Sequence, residues 1–197
     1  MHMDLLYFEH PPRFQILHCL RNRVKGGTSL FLDALHASQQ LRAADPKAFE
    51  TLTSTPVPFH YVNDGHHLRY EHPTIELAPT YPPHSHSLIQ KPEIAYINYS
   101  PPFQALLPVS TPASFYTSLR AFSHLLDDPA NVFEYTLREG DAVVFDNRRV
   151  LHARSAFEDG EVSGGAGETR RWLKGCYLEA DGVMDRGRVL RDEVGEA

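Results

Sequence analysis

The feature that most limits how this chain can fold is the shortness of its apolar runs. FQILHCL at 14–20, IAYINY at 94–99, AVVF at 142–145 and WLKGCYL at 172–178 are each bounded by turn-forming residues. Runs of that length, punctuated by Gly, Pro and Asp, read as strands. Helical spacing is confined to residues 33–40, a segment opened by Asp45-Pro46, residues 113–126 and residues 184–194. Pro46 suits a first helical turn, and Phe115, Leu119, Phe122 and Leu126 recur at helical spacing. Many short strands with few helices predict a mainly β fold with helices (α+β): a barrel or sandwich core with helical decoration. Residues 64–93 hold six Pro or Gly and five His, and read as strand fragments around a long loop. Residues 159–168 (DGEVSGGAGE) read as a flexible Gly-rich loop.

Composition narrows the function. A chain of 197 residues suits one domain with a real core. A net charge of −6 argues against nucleic acid or an anionic membrane as the main partner. No apolar run approaches the ~20 residues of a membrane-spanning helix. Cys19 and Cys176 cannot build a disulfide framework, so a reducing compartment is expected. Twelve histidines raise the prospect of a metal site without locating it. The chain opens directly into MHMDLLYFEHPP, with no signal or transit pattern ahead of a segment that looks functional. The expectation is a single domain over residues 1–197 that lacks upstream sequence.

Three elements carry chemistry. His2-Met3-Asp4 on a strand would aim an imidazole and a carboxylate to one side, since residues two apart share a face. With a distant histidine, such a pair makes a 2-His-1-carboxylate triad that leaves open positions on iron. About one His-x-Asp/Glu is expected by chance in a chain this rich in histidine, so a solvated polar pair is the competing reading. Asp146-Asn147-Arg148-Arg149-Val150-Leu151-His152 follows an apolar strand and the turn Glu139-Gly140-Asp141, and offers His152 as the distant ligand. Arg171 begins a last strand on which Leu173, Gly175 and Tyr177 share its face. Its guanidinium could grip a carboxylate of a small diacid, a role for which Arg154 and Arg170 compete. A histidine-rich module of His66, His67, His84 and His86 is a further reading, weakened by the lack of closed-site ligand spacing.

The blocks HMDLLYFEHPPRFQILHCL, KGGTSLFLDAL, REGDAVVFDNRRVLHAR and RWLKGCYLEADGVMDRGRVL, taken in order, resemble the γ-butyrobetaine and trimethyllysine dioxygenases. These are TauD-like 2-oxoglutarate oxygenases of carnitine biosynthesis. The resemblance implies a double-stranded β-helix (jelly-roll) core, incomplete at the N-terminus. It implies Fe(II) held by His2, Asp4 and His152, with 2-oxoglutarate as co-substrate and ascorbate as an activator. It places Arg171 against the far carboxylate of 2-oxoglutarate, with Thr28 and Ser29 as further partners. Tyr177 would help enclose a trimethylammonium group, which cation–π contact suits, and Asn98 would hold the substrate carboxylate. The implied reaction consumes O2 and hydroxylates γ-butyrobetaine; trimethyllysine, or an inactive truncated oxygenase fragment, are the alternatives. It also implies a possible homodimer, a cytoplasmic setting for the butyrobetaine enzyme and, for the trimethyllysine alternative, a mitochondrial one. Relative to the family pattern, Leu5 replaces a polar or aromatic residue, and the loop between His152 and Arg171 is longer by about six residues.

Overall fold

The computed structural model describes residues 1–79, 92–158 and 169–195. In chain order its elements are β1 (Phe14–Asn22), β2 (Lys25–Gly26), β3 (Ser29–Asp33), α1 (Ala34–Ala44), α2 (Pro46–Ser54), β4 (Pro56–Asn63), β5 (His66–Pro73), β6 (Ile75–Leu77) and β7 (Ile94–Ile97). Then follow α3 (Ala113–Leu126), β8 (Val132–Tyr135), β9 (Ala142–Asp146), β10 (Val150–Arg154), β11 (Phe157–Glu158), β12 (Arg171–Leu178) and α4 (Ala180–Val194). The fold is mainly β with helices, as the short apolar runs require.

Two compact units share the chain. The first comprises Met1–Pro11, Phe31–Phe133 and Arg149–Ala153. Its core is one apolar cluster fed by α1 (Ala37, Leu41), α2 (Phe49, Leu52), α3 (Phe115, Phe122, Leu126), β4 (Val57, Phe59) and the edge residues Ile75 and Ile97. Each helix presents one stripe to this cluster. Phe115, Phe122 and Leu126 are buried at the expected spacing, and Leu119 packs at the margin. Local chemistry sets the boundaries of α1 and α2. The Asp33 carboxylate caps α1 by accepting from the N–H groups of Leu35 and His36. Asp45 caps α2 through the Ala48 N–H, with Pro46 at the first helical turn.

In the same unit, β4 and β5 form a hairpin in unbroken antiparallel register from Pro56↔Pro73 to Asn63↔His66. Within the segment read as strand fragments around a long loop, residues 66–73 and 75–77 are indeed strands, and the first of them is a full hairpin arm. The turn between β4 and β5 is Asp64-Gly65, with φ of 51° and 78°. Two successive left-handed residues match the twist of the flanking strands, and Asp-Gly supplies them cheaply. β6 pairs antiparallel with β7. The rest of the His/Pro-rich segment, from residue 80 to residue 91, lies outside the described residues, as do residues 159–168.

The second unit comprises Pro12–Leu30, Glu134–Arg148 and Arg154–Ala197. Its centre is the antiparallel sheet β12-β1-β9. β1 pairs with β12 from Phe14↔Leu178 to Asn22↔Arg171, with a bulge between Cys19 and Arg21. That register puts Gln15, Leu17 and Cys19 opposite Tyr177, Gly175 and Leu173. β2 forms a short ladder with β11, pairing Lys25 and Gly26 with Glu158 and Phe157. The last helix begins at Ala180, four residues before the apolar spacing announces it.

Candidate metal centre

His2 and His152 belong to the first unit and form an isolated antiparallel bridge. Each donates its backbone N–H to the other's carbonyl at 3.0 Å. Met3 is fully buried, and its N–H donates to the Tyr99 carbonyl at 2.8 Å. Burying Met3 inward turns its neighbours His2 and Asp4 to the opposite side, because successive side chains on extended backbone alternate. The His2 and His152 rings sit 4.5 Å apart. The Nε2 atoms of His2 and His152 each lie 3.3 Å from a different oxygen of the Asp4 carboxylate. Asp4 and His152 are largely shielded, with 17% and 12% of their side-chain surface exposed.

Among the described residues, His2, Asp4 and His152 are the group whose donor atoms gather closely enough to hold one ion. Two imidazole nitrogens and one carboxylate oxygen are the donor set of a non-haem Fe(II) facial triad. Metal–ligand distances near ~2.1 Å would set adjacent donors of one octahedral ion ~3 Å apart; the two imidazole–carboxylate spacings of 3.3 Å are near this, and the donors of all three residues lie within 4.8 Å of one another. Only half of the competing histidine-rich module falls on described residues. His66 and His67 are exposed neighbours on β5, while His84 and His86 lie outside the described residues.

The backbone beyond Asp4 is unusual. Leu5 has φ of 66°, a left-handed conformation that costs a residue with a Cβ ~1–2 kcal/mol. The turn closes with the Phe8 N–H donating to the Leu5 carbonyl at 3.1 Å. It buries Leu6 and packs Tyr7 among Tyr61 (stacked, 5.2 Å) and Phe103 (edge-on, 5.3 Å). Burial pushes the Tyr7 phenol pKa up, and the Asp4 charge pushes it the same way. Nothing in the spacing of HMDLLYF announces that strained turn, since Leu5 is not a residue that favours it.

The second unit holds the other expected site residues except Asn98. Arg171 and Arg154 both place their guanidinium groups against the Phe157 ring, at 5.6 and 4.3 Å. Burial, and then the Arg154 charge, lower the Arg171 pKa. Its Nε is buried with no hydrogen-bond partner among the described atoms. Two guanidinium groups against one ring, one with an unmatched donor, make a cationic cluster that favours an anion. Gly27, at φ of 70°, lies against this arginine: a Cβ there would stand 3.0 Å from Arg171 Nε. Thr28 hydrogen-bonds Thr136 through its hydroxyl at 2.9 Å, and Ser29 is buried. Tyr177 accepts from Gln15 Nε2 at 3.4 Å. Asn98, in the first unit, is buried, and its side-chain amide donates to the Pro73 carbonyl and the Glu76 carboxylate.

Residues 1–177 match the model of the taurine catabolism dioxygenase TauD, TfdA family. The chain belongs to the TauD/TfdA dioxygenase family. This TauD/TfdA chain is 57% identical over 192 residues to "Dioxygenase str8" of Strobilurus tenacellus, covering 97% of this chain and 43% of that protein. It is 32% identical over 199 residues to human "Gamma-butyrobetaine dioxygenase", covering 98% and 47%. Against bovine "Trimethyllysine dioxygenase, mitochondrial" the figures are 30% over 193 residues, 96% and 42%. The chain thus spans less than half the length of these curated relatives. A crystal structure of a taurine dioxygenase from Burkholderia xenovorans superposes with a TM-score of 0.63 at 20% identity, covering 90% of this chain and 55% of that one. The core is therefore that of the TauD-like jelly-roll fold.

Proposed function

We propose that this chain is the catalytic part of an Fe(II)- and 2-oxoglutarate-dependent dioxygenase that hydroxylates a small molecule. The observation that carries the reading is the convergence of His2, Asp4 and His152 on one point from two segments far apart in sequence. In this reading they bind iron on one side and leave its other positions open. Iron, 2-oxoglutarate and O2 together supply the oxidising power to break an unactivated C–H bond, with succinate and CO2 as co-products. The protein binds and orients. Arg171, beside Arg154 and Phe157, pairs with a carboxylate of 2-oxoglutarate, and Thr28 and Ser29 are assigned near it. The aromatic residues beside Asp4 exclude water.

The substrate assignment is a trimethylammonium compound, first γ-butyrobetaine and second trimethyllysine. It rests on the four matching sequence blocks and on the two relatives at 32% and 30% identity. Tyr177 is assigned to the quaternary ammonium, which an aromatic face attracts without hydrogen bonds. A second reading, another small-molecule substrate, is favoured by the 57% identical relative, which carries neither name, and by the Asn98 amide, whose hydrogens are engaged within its own unit. The test is succinate formation with Fe(II), 2-oxoglutarate and ascorbate, comparing γ-butyrobetaine with trimethyllysine. Stimulation by the first supports the leading assignment. Stimulation by trimethyllysine alone reverses the order. Substrate-independent succinate formation alone points to the second reading, and no turnover with metal bound points to an inactive fragment.

A further inference from the structure

The iron triad needs its carboxylate held in place on both sides, and the two sides are held differently. Ahead of Asp4, the backbone is fixed by the paired hydrogen bonds between His2 and His152 and by Met3 on Tyr99. Beyond Asp4, the chain enters the left-handed Leu5 and a tight turn ending at Phe8. A backbone in a sparsely populated conformation persists where surrounding contacts over-determine it. One polar side chain grips this turn from outside: the buried His72, on β5, whose Nε2 lies 2.9 Å from the Phe8 carbonyl. A carbonyl only accepts, so Nε2 carries the hydrogen. His72 is in turn seated against Tyr70 (ring centroids 4.8 Å), with Nδ1 4.0 Å from the Glu76 carboxylate, which also accepts from Asn98 at 3.1 Å.

We propose that His72 is a positioning residue for the metal centre. By donating to the Phe8 carbonyl it clamps the 5–8 turn and so sets the direction of the Asp4 carboxylate, with Glu76 and Asn98 as its backing. The inference rests on the metal reading of the triad. Partners that orient ligands from outside the metal's own shell typically change metal affinity by ~10–100-fold when lost.

The experiment is titration of the metal-free chain with Co(II) alone, followed by its visible absorption, alongside the melting temperature of each metal-free variant. Three substitutions separate position from bulk. In H72Q the amide nitrogen reaches the place of Nε2 and keeps the donor. In H72N the amide falls short, at the place of Nδ1, and H72A removes it. H72A and H72N are expected to weaken Co(II) binding ~10–100-fold, and H72Q to stay within about threefold of the parent chain. Co(II) affinity unchanged in H72N overturns the clamp, and so does a loss in H72Q as large as in H72N at equal melting temperatures. H72N settles the matter if H72A does not fold. Failure of the parent chain to bind Co(II), or binding that survives D4A, overturns the metal reading and the clamp with it. Binding lost in D4A but unchanged in H72N overturns the clamp alone.

Discussion

His2 and His152 exchange both of their backbone hydrogen bonds, at 3.0 Å each, while their imidazoles face the two oxygens of one carboxylate. The main chain thus holds together the two residues whose imidazoles are proposed as ligands, before any ion arrives. Metal binding is therefore expected to need little rearrangement. Adding Co(II) or Fe(II) at about 100 times its dissociation constant should stabilise the fold by ~2.7 kcal/mol, a rise of about 5–10 °C in melting temperature. H152A should abolish the rise, which differential scanning fluorimetry would show; an unchanged shift would sink the assignment of His152.

Arg171 offers a donor pair rather than a point charge. R171K is expected to raise the KM for 2-oxoglutarate by about tenfold or more, the worth of a charged hydrogen bond of ~1.5–3 kcal/mol. Co(II) affinity should not change, because Arg171 is no part of the donor set. Steady-state kinetics and metal titration on the same variant check both halves.

Gly27 tests the same cationic cluster from its backbone. A methyl group there would meet Arg171 Nε at 3.0 Å and would require a left-handed residue with a Cβ. G27A should therefore mimic R171K in raising the KM for 2-oxoglutarate while leaving metal affinity intact. Parent-like kinetics in G27A would show that Arg171 swings aside at no cost.

Asp33 caps α1 and pairs with Arg149, whose Nε and Nη2 donate at 3.1 and 2.6 Å. Burial pushes the Asp33 carboxyl pKa up, but the Arg149 hydrogen bond, with those from His36 and Leu35, outweighs it and leaves the pKa below the usual range. A depressed folded-state pKa means stability that is present above the unfolded value of ~3.9 and is lost as pH falls through the lower, folded value. D33A should cost ~1 kcal/mol at neutral pH, and denaturant midpoints should show the deficit shrinking as pH falls through that window.

Gly65 carries the hairpin that places His72. G65A puts a Cβ into the left-handed turn and should destabilise the chain by ~1 kcal/mol, readable as a shift in urea midpoint. An equal or greater midpoint would mean the turn relaxes to another form.

The strands and helices whose signals are local were legible in sequence. FQILHCL, AVVF and the stripe from Phe115 to Leu126 announce themselves by length and period, and Asp33 and Asp45 by cap chemistry. The β5 strand was obscured by the density of His and Pro around it, although Asp64-Gly65 is a strong hairpin signal. Read as a two-residue turn, it would have folded residues 66–73 back onto 56–63. The triad was suggested by His-x-Asp and by the strand leading to His152, but the chance frequency of His-x-Asp made the pair weak alone. What spacing could not reveal is tertiary: the left-handed Leu5, the Arg154–Phe157–Arg171 cluster and the grip of His72 on Phe8 each join residues through contacts or torsions that no local pattern encodes.

To a polymer, the bridge between His2 and His152 is a point where two loci 150 residues apart (152 − 2) are tied. That tie does not close the loop alone, because the β1–β9 ladder already joins residues 14–18 to 142–146, and closure entropy grows only slowly with length. An ion ligated from both ends would act as a reversible cross-link. The same atom that is assigned the chemistry would then tighten one of several long-range ties, and chelation would behave like pulling one staple from a row.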